Sequence, residues 1–185
     1  MGKEFCYHKE RKVVAEIKIK TLTRMGLLSA VALIIFMVEA QIPVPVPVPG
    51  IKLGLANIVT IFAVWIMGSW QGIGVLAVRV FLGAVFSGNF GTIFYSAAGG
   101  ALAILTAILL KKILKENQLW VAGCLGAVAH SIGQMIVAIL LTGTPGLAVY
   151  LPVMVACGIV TGLFTGLCAQ LLVNRGKNFW KTTFR

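Results

Sequence analysis

The feature that most constrains this chain is a succession of apolar stretches too long for the helices of a water-soluble core. Six of them, approximately Leu22–Ile42, Ile51–Ser69, Trp70–Gly88, Phe90–Leu110, Leu119–Leu141 and Tyr150–Val173, fill most of the 185 residues. A bilayer core of roughly 30 Å takes about 20 mostly apolar residues per crossing helix. The composition agrees: 59% of residues are hydrophobic and only 11% charged, with a mean hydropathy of +0.98. A soluble domain of this length could not cover its surface with so few polar side chains. The polar N-terminus, followed by six apolar runs, does not read as a secretory signal. The expected fold is an all-α membrane protein, a six-helix transmembrane bundle over residues 22–173. A basic arm at 1–21 precedes it and a basic tail at 174–185 follows.

The basic residues give the expected orientation. Lys3, Lys9, Arg11, Lys12, Lys18, Lys20 and Arg24 precede the first span or open it. Lys111, Lys112 and Lys115 lie between the fourth and fifth, and Arg175, Lys177, Lys181 and Arg185 close the chain. Under six crossings these fourteen share one side, with Lys52 alone on the other and Arg79 inside a span. The positive-inside rule makes the crowded side cytoplasmic, with both termini inside. The net charge of +11 then reports topology and contact with anionic membrane lipid. No nucleic acid is expected as a partner, because the basic residues are scattered over three segments with no binding module between them.

Between the first two spans lies "EAQIPVPVPVPGIKLGLANI", Glu39 to Ile58. Pro43, Pro45, Pro47 and Pro49 preclude helix and disfavour a central strand. Polyproline II geometry fits, and seven residues at about 3.1 Å each reach roughly 22 Å. The segment reads either as a stiff spacer or as a lid across the outer mouth of the bundle. At the other end of the first span Thr21 and Thr23 are candidate helix caps. Small residues recur four apart at Gly26 and Ala30, at Ser96 and Gly100, and at Gly158, Gly162 and Gly166. Such stripes let helices approach closely in lipid. The stripe in the sixth span is expected to pack inside the bundle.

Polar residues within apolar spans are the candidate ligand contacts, because each is costly to insert without a partner. They are Glu39, Asn57, Arg79, Asn89, Tyr95, His130 and Gln134. Arg79 lies near mid-span and either pairs with Glu39 or offers its planar donor fork to an anionic substrate group. His130 and Gln134 are one turn apart and, with Ser131, make a polar patch or a packing contact. Cys6, Cys124, Cys157 and Cys168 lack metal-ligand or CxxC spacing and read as small apolar side chains. No P-loop, catalytic triad or metal-ligand cluster is present, and no cofactor is expected. The glycines of "GIGVLA" lie within an apolar span with no strand before them, so that match carries no nucleotide-binding meaning.

The stretch "QIPVPVPVPGIKLGLANIVTIFAVWIMG", above all Pro43–Ile58, resembles the heptaprenyl diphosphate synthase component I family, also called the Gx transporter family. That family is in turn similar to the substrate-binding S components of energy-coupling factor transporters. The resemblance implies six helices, cytoplasmic termini and an outward pocket capped by the first loop. It also implies a transmembrane coupling subunit and two ATPases as partners. S components dock through an Ala-x-x-x-Ala face on the first helix, where this chain has Gly26 and Ala30 at the same spacing. The word synthase fits the residues poorly. Prenyl diphosphate synthases hold magnesium with clustered aspartates, and this chain has no aspartate at all.

The expectation is therefore a non-enzymatic subunit of the plasma membrane that captures a small hydrophobic or amphipathic molecule from outside. The alternative is a non-catalytic membrane subunit serving isoprenoid, quinone or membrane redox metabolism.

Overall fold

The computed structural model describes the backbone at residues 2–42, 51–88 and 90–183, and side chains at 18–42, 51–88, 90–115 and 117–176. All regular structure among the described residues is helical: α1 (Gly2–Glu39), α2 (Asn57–Ile66), α3 (Ser69–Ser87), α4 (Gly91–Lys111), α5 (Leu119–Thr142) and α6 (Leu151–Thr183), with short 3₁₀ turns before α5 and α6. Among the described residues five helical stretches are long and apolar enough to cross a membrane: Lys18–Glu39, Ser69–Ser87, Gly91–Lys111, Leu119–Thr142 and Pro145–Gly176. The chain is a multi-pass membrane protein by that measure. Its exterior agrees, since Leu27, Ile34, Phe81, Phe94, Leu140, Val160 and Phe164 all point outward.

Two local expectations are corrected. The backbone of the basic arm continues into the first span without a break, α1 running for 38 residues. At 1.5 Å per residue that is about 57 Å, far more than a bilayer needs. Nothing between Lys3 and Met25 breaks a helix, and Lys, Glu and Ala there favour one. Thr21 and Thr23 consequently lie inside the helix and not at its N-terminus; the Thr23 hydroxyl donates back to the Ile19 carbonyl at 3.0 Å. The second correction concerns Ile51–Ser69. Before α3 begins at Ser69, only Asn57–Ile66 of that stretch is helical, which gives about 15 Å of helix, half a bilayer. Residues 51–56 are irregular and packed against the helices, with Ile51, Lys52, Gly54 and Ala56 buried.

The helices approach most closely along a seam of glycines. A methyl group at Gly162 would lie 2.6 Å from the Gly123 carbonyl oxygen and 2.9 Å from Cα of Cys124. One at Gly166 would lie 2.6 Å from Cα of Trp120. The α6 stripe therefore packs against α5, inside the bundle as expected. Gly133 brings α5 against Ala98 and Gly99 of α4 in the same way. In lipid there is no hydrophobic gain from joining two apolar helices, so such close backbone approach supplies the cohesion. At the opposite end from Glu39, the Lys111 ammonium donates to the Val64 carbonyl at 2.6 Å. That contact satisfies one of the free carbonyls in the last turn of α2.

Candidate functional site

An irregular segment inside an apolar bundle exposes amides that have no partner within their own element, each costing several kcal/mol if left so. The side chains around residues 51–56 answer this. Glu39, the last residue of α1, gives one carboxylate oxygen to the Gly54 N–H and the other to the Ala56 N–H at 3.3 Å. From α5, Gln134 Oε1 accepts the Lys52 N–H at 3.1 Å. From α6, the Thr161 hydroxyl donates to the Leu53 carbonyl at 3.4 Å. Gly54 has φ of +86°, a conformation that suits glycine. A side chain there would also strike Asn57 Nδ2 and the His130 ring.

Beneath this segment lies a cluster of charged and amide groups. Arg79, midway along α3 and 3% exposed, places Nη1 and Nη2 each 3.4 Å from Asn57 Oδ1. The Lys52 ammonium lies over the Phe36 ring, 3.1 Å from its centroid, a cation–π contact in an apolar setting. Gln134 Nε2 and His130 Nε2 are 2.8 Å apart. Lys52 Nζ, Arg79 Nε and Asn57 Nδ2 are buried and have no hydrogen-bond acceptor.

Two cavities meet at this cluster. The inner one, about 10 Å³, is lined by Phe36, Glu39, Lys52, Gly54, Arg79, Ser96, His130 and Gln134, and has room for roughly one water molecule. The other, about 370 Å³, is lined by Met37, Glu39, Ala40, Gln41, Ile42, Ile51, Lys52, Ser87 and Thr92. That is within the usual size of small-molecule sites. Glu39 and Lys52 line both cavities and so stand between them.

The structure thus brings Glu39, Asn57, Arg79, His130 and Gln134 together. Tyr95 goes elsewhere, into an apolar cluster with Ile51, Met135, Ala138 and Met154. Ser131 turns to α6, its hydroxyl 3.5 Å from the Met154 carbonyl, and does not join His130. Asn89 and the four prolines Pro43, Pro45, Pro47 and Pro49 lie outside the described residues. Glu39 spends both oxygens on backbone amides, and among the described residues it forms no salt bridge with Arg79. The carboxylate follows the amides because they are near and otherwise unsatisfied. Gly26 and Ala30 are exposed on α1, with open space beside Gly26.

Sequence reasoning did not place Lys52, Phe36, Gly54 or Ser96 in the site. Lys52 carried a usable signal, as the one basic residue expected on the sparsely charged side. Phe36 carried none, being one aromatic residue in an apolar helix. Among the described residues no three His, Cys, Asp or Glu side chains cluster to hold a metal ion.

No curated protein and no solved structure matches this chain. The model of the family described as heptaprenyl diphosphate synthase component I matches residues 28–172, from within α1 to within α6 and across the whole buried cluster, and the chain belongs to that family.

Proposed function

We propose that this protein is a substrate-capturing membrane subunit, similar to the S components of energy-coupling factor transporters, that takes up a small hydrophobic or amphipathic molecule from outside. The observation that carries the reading is the ligand-sized groove of about 370 Å³ opening beside buried, unpartnered donors. Apolar burial would supply most of the binding free energy, and the few polar groups would set orientation. In this reading the chain crosses the plasma membrane six times with both termini in the cytoplasm. The second crossing would be made by residues 51–66, the irregular segment followed by α2. The lone Lys52 and the groove then face outside, where the prolines would cover them. Partner ATPases and a coupling subunit would supply energy, since the chain has no P-loop. The subunit itself would catalyse nothing, having no aspartate for metal-assisted diphosphate chemistry.

A second reading takes the family description at its word: a non-catalytic membrane subunit that holds a partner in isoprenoid, quinone or redox metabolism. The Glu39 bonds to Gly54 and Ala56 would serve such an anchor equally well. Gentle purification of the full chain separates the two. Capture predicts a retained small molecule by mass spectrometry and co-purification of an ATPase-linked coupling protein. Recovery of a synthase or redox subunit, with no small molecule retained, would sink capture and leave the anchor.

A further inference from the structure

Counting charges and donors around the inner cavity narrows the ligand, on the strength of the capture reading above. Lys52, Arg79 and Asn57 are 8%, 3% and 5% exposed, and each has a buried nitrogen with no acceptor. The side-chain oxygens of Glu39, Asn57 and Gln134 each already hold at least one donor. Both Glu39 oxygens are held by the amides of Gly54 and Ala56, Asn57 Oδ1 faces the Arg79 guanidinium, and Gln134 Oε1 holds the Lys52 amide. Because that oxygen is committed, Gln134 Nε2 donates to His130 Nε2. The ring nitrogen must then be an unprotonated acceptor, so His130 is neutral and adds no charge.

Two cations and one carboxylate leave a net charge of +1 in an apolar interior, a costly state without a counter-charge. We propose that the cluster receives the head group of an amphiphile with a single negative charge, a carboxylate foremost, and discriminates against a diphosphate. A neutral molecule would leave the buried +1 uncompensated. A diphosphate would bring two or three negative charges to a site with one to spare. The apolar tail would lie in the adjoining groove against Met37, Ile42 and Ile51.

The test uses the purified full chain in lipid nanodiscs, titrated with octanoate, octanol and octyl diphosphate by calorimetry. Octanoate is expected to bind about tenfold tighter than octanol, the ordinary value of a hydrogen bond to a charged group, and tighter than octyl diphosphate. Lys52→Met should shrink the preference of octanoate over octanol to near unity. Octyl diphosphate binding as tightly as octanoate, or a preference unchanged in Lys52→Met, would overturn the assignment. Octanol matching octanoate in the native chain would overturn the charge argument while leaving capture intact. If none of the three binds and no small molecule is retained from the native membrane, capture falls as well. Should Lys52→Met fail to fold, the three titrations of the native chain still decide.

Discussion

The backbone N–H of Lys52 donates to Gln134 Oε1 at 3.1 Å across 82 positions of sequence. That bond joins the irregular segment before α2 to the middle of α5. It belongs to a set, with Glu39 at Gly54 and Ala56 and Thr161 at Leu53, that satisfies non-helical backbone inside an apolar bundle. Several of the polar side chains that look like ligand contacts therefore also support the segment that shapes the site. Lys52 Nζ and Arg79 Nε stay buried without a hydrogen-bond acceptor, and both residues line the small cavity beside the segment.

Gln134→Leu should leave the Lys52 amide without an acceptor. The expected loss is about 1–3 kcal/mol, the cost of an orphaned buried group. Thermal unfolding of the purified chain measures it, and an unchanged midpoint would show that the segment is held by other means.

Glu39→Ala should be more damaging than Glu39→Gln. Alanine strands both amides, whereas the glutamine carbonyl still serves one. A difference of roughly 1 kcal/mol or more between the two is expected from one retained hydrogen bond. Equal stability of the two variants would mean that the carboxylate is not the acceptor.

Gly162→Val should force α5 and α6 apart, since a Cβ there meets the Gly123 carbonyl at 2.6 Å. Overpacking of this kind costs about 1–3 kcal/mol or more. Gly26→Val, with open space around it, should stay within about 0.5 kcal/mol of the native stability. If the exposed Gly26 and Ala30 face docks a coupling subunit, Gly26→Val should weaken that association without lowering the unfolding temperature. Loss of both together would point to a structural role.

Arg79→Met tests whether the guanidinium serves the ligand or the fold. It removes the excess buried charge and retains most of the side-chain volume. The orphaned Asn57 Oδ1 costs about 1–3 kcal/mol and loss of the buried charge offsets it, so stability is expected to change little, while octanoate affinity falls about tenfold or more, the pattern of a residue kept for binding. A large loss of stability with unchanged affinity would reverse the assignment.

Much of this protein was legible without coordinates. Hydropathy and length are local properties, so the apolar stretches from α3 to α6 read directly as long helices. The glycine stripe of α6 was equally plain, because in lipid only small residues permit such an approach. The gathering of Glu39, Asn57, Arg79, His130 and Gln134 followed from the cost of leaving any of them in hydrocarbon.

Tertiary structure alone decided the rest. Hydropathy over Ile51–Ser69 is the same whether the chain there is coiled or irregular. What permits the irregular form at 51–56 is acceptors on α1 and α5 and a donor on α6, residues remote in sequence. For the same reason Glu39 could be recognised as a buried carboxylate but not assigned its partners, and Lys52 could be counted as a lone cation but not placed over Phe36. Which polar groups end up paired depends on non-local geometry, and so does the unspent charge that gives the site its chemistry.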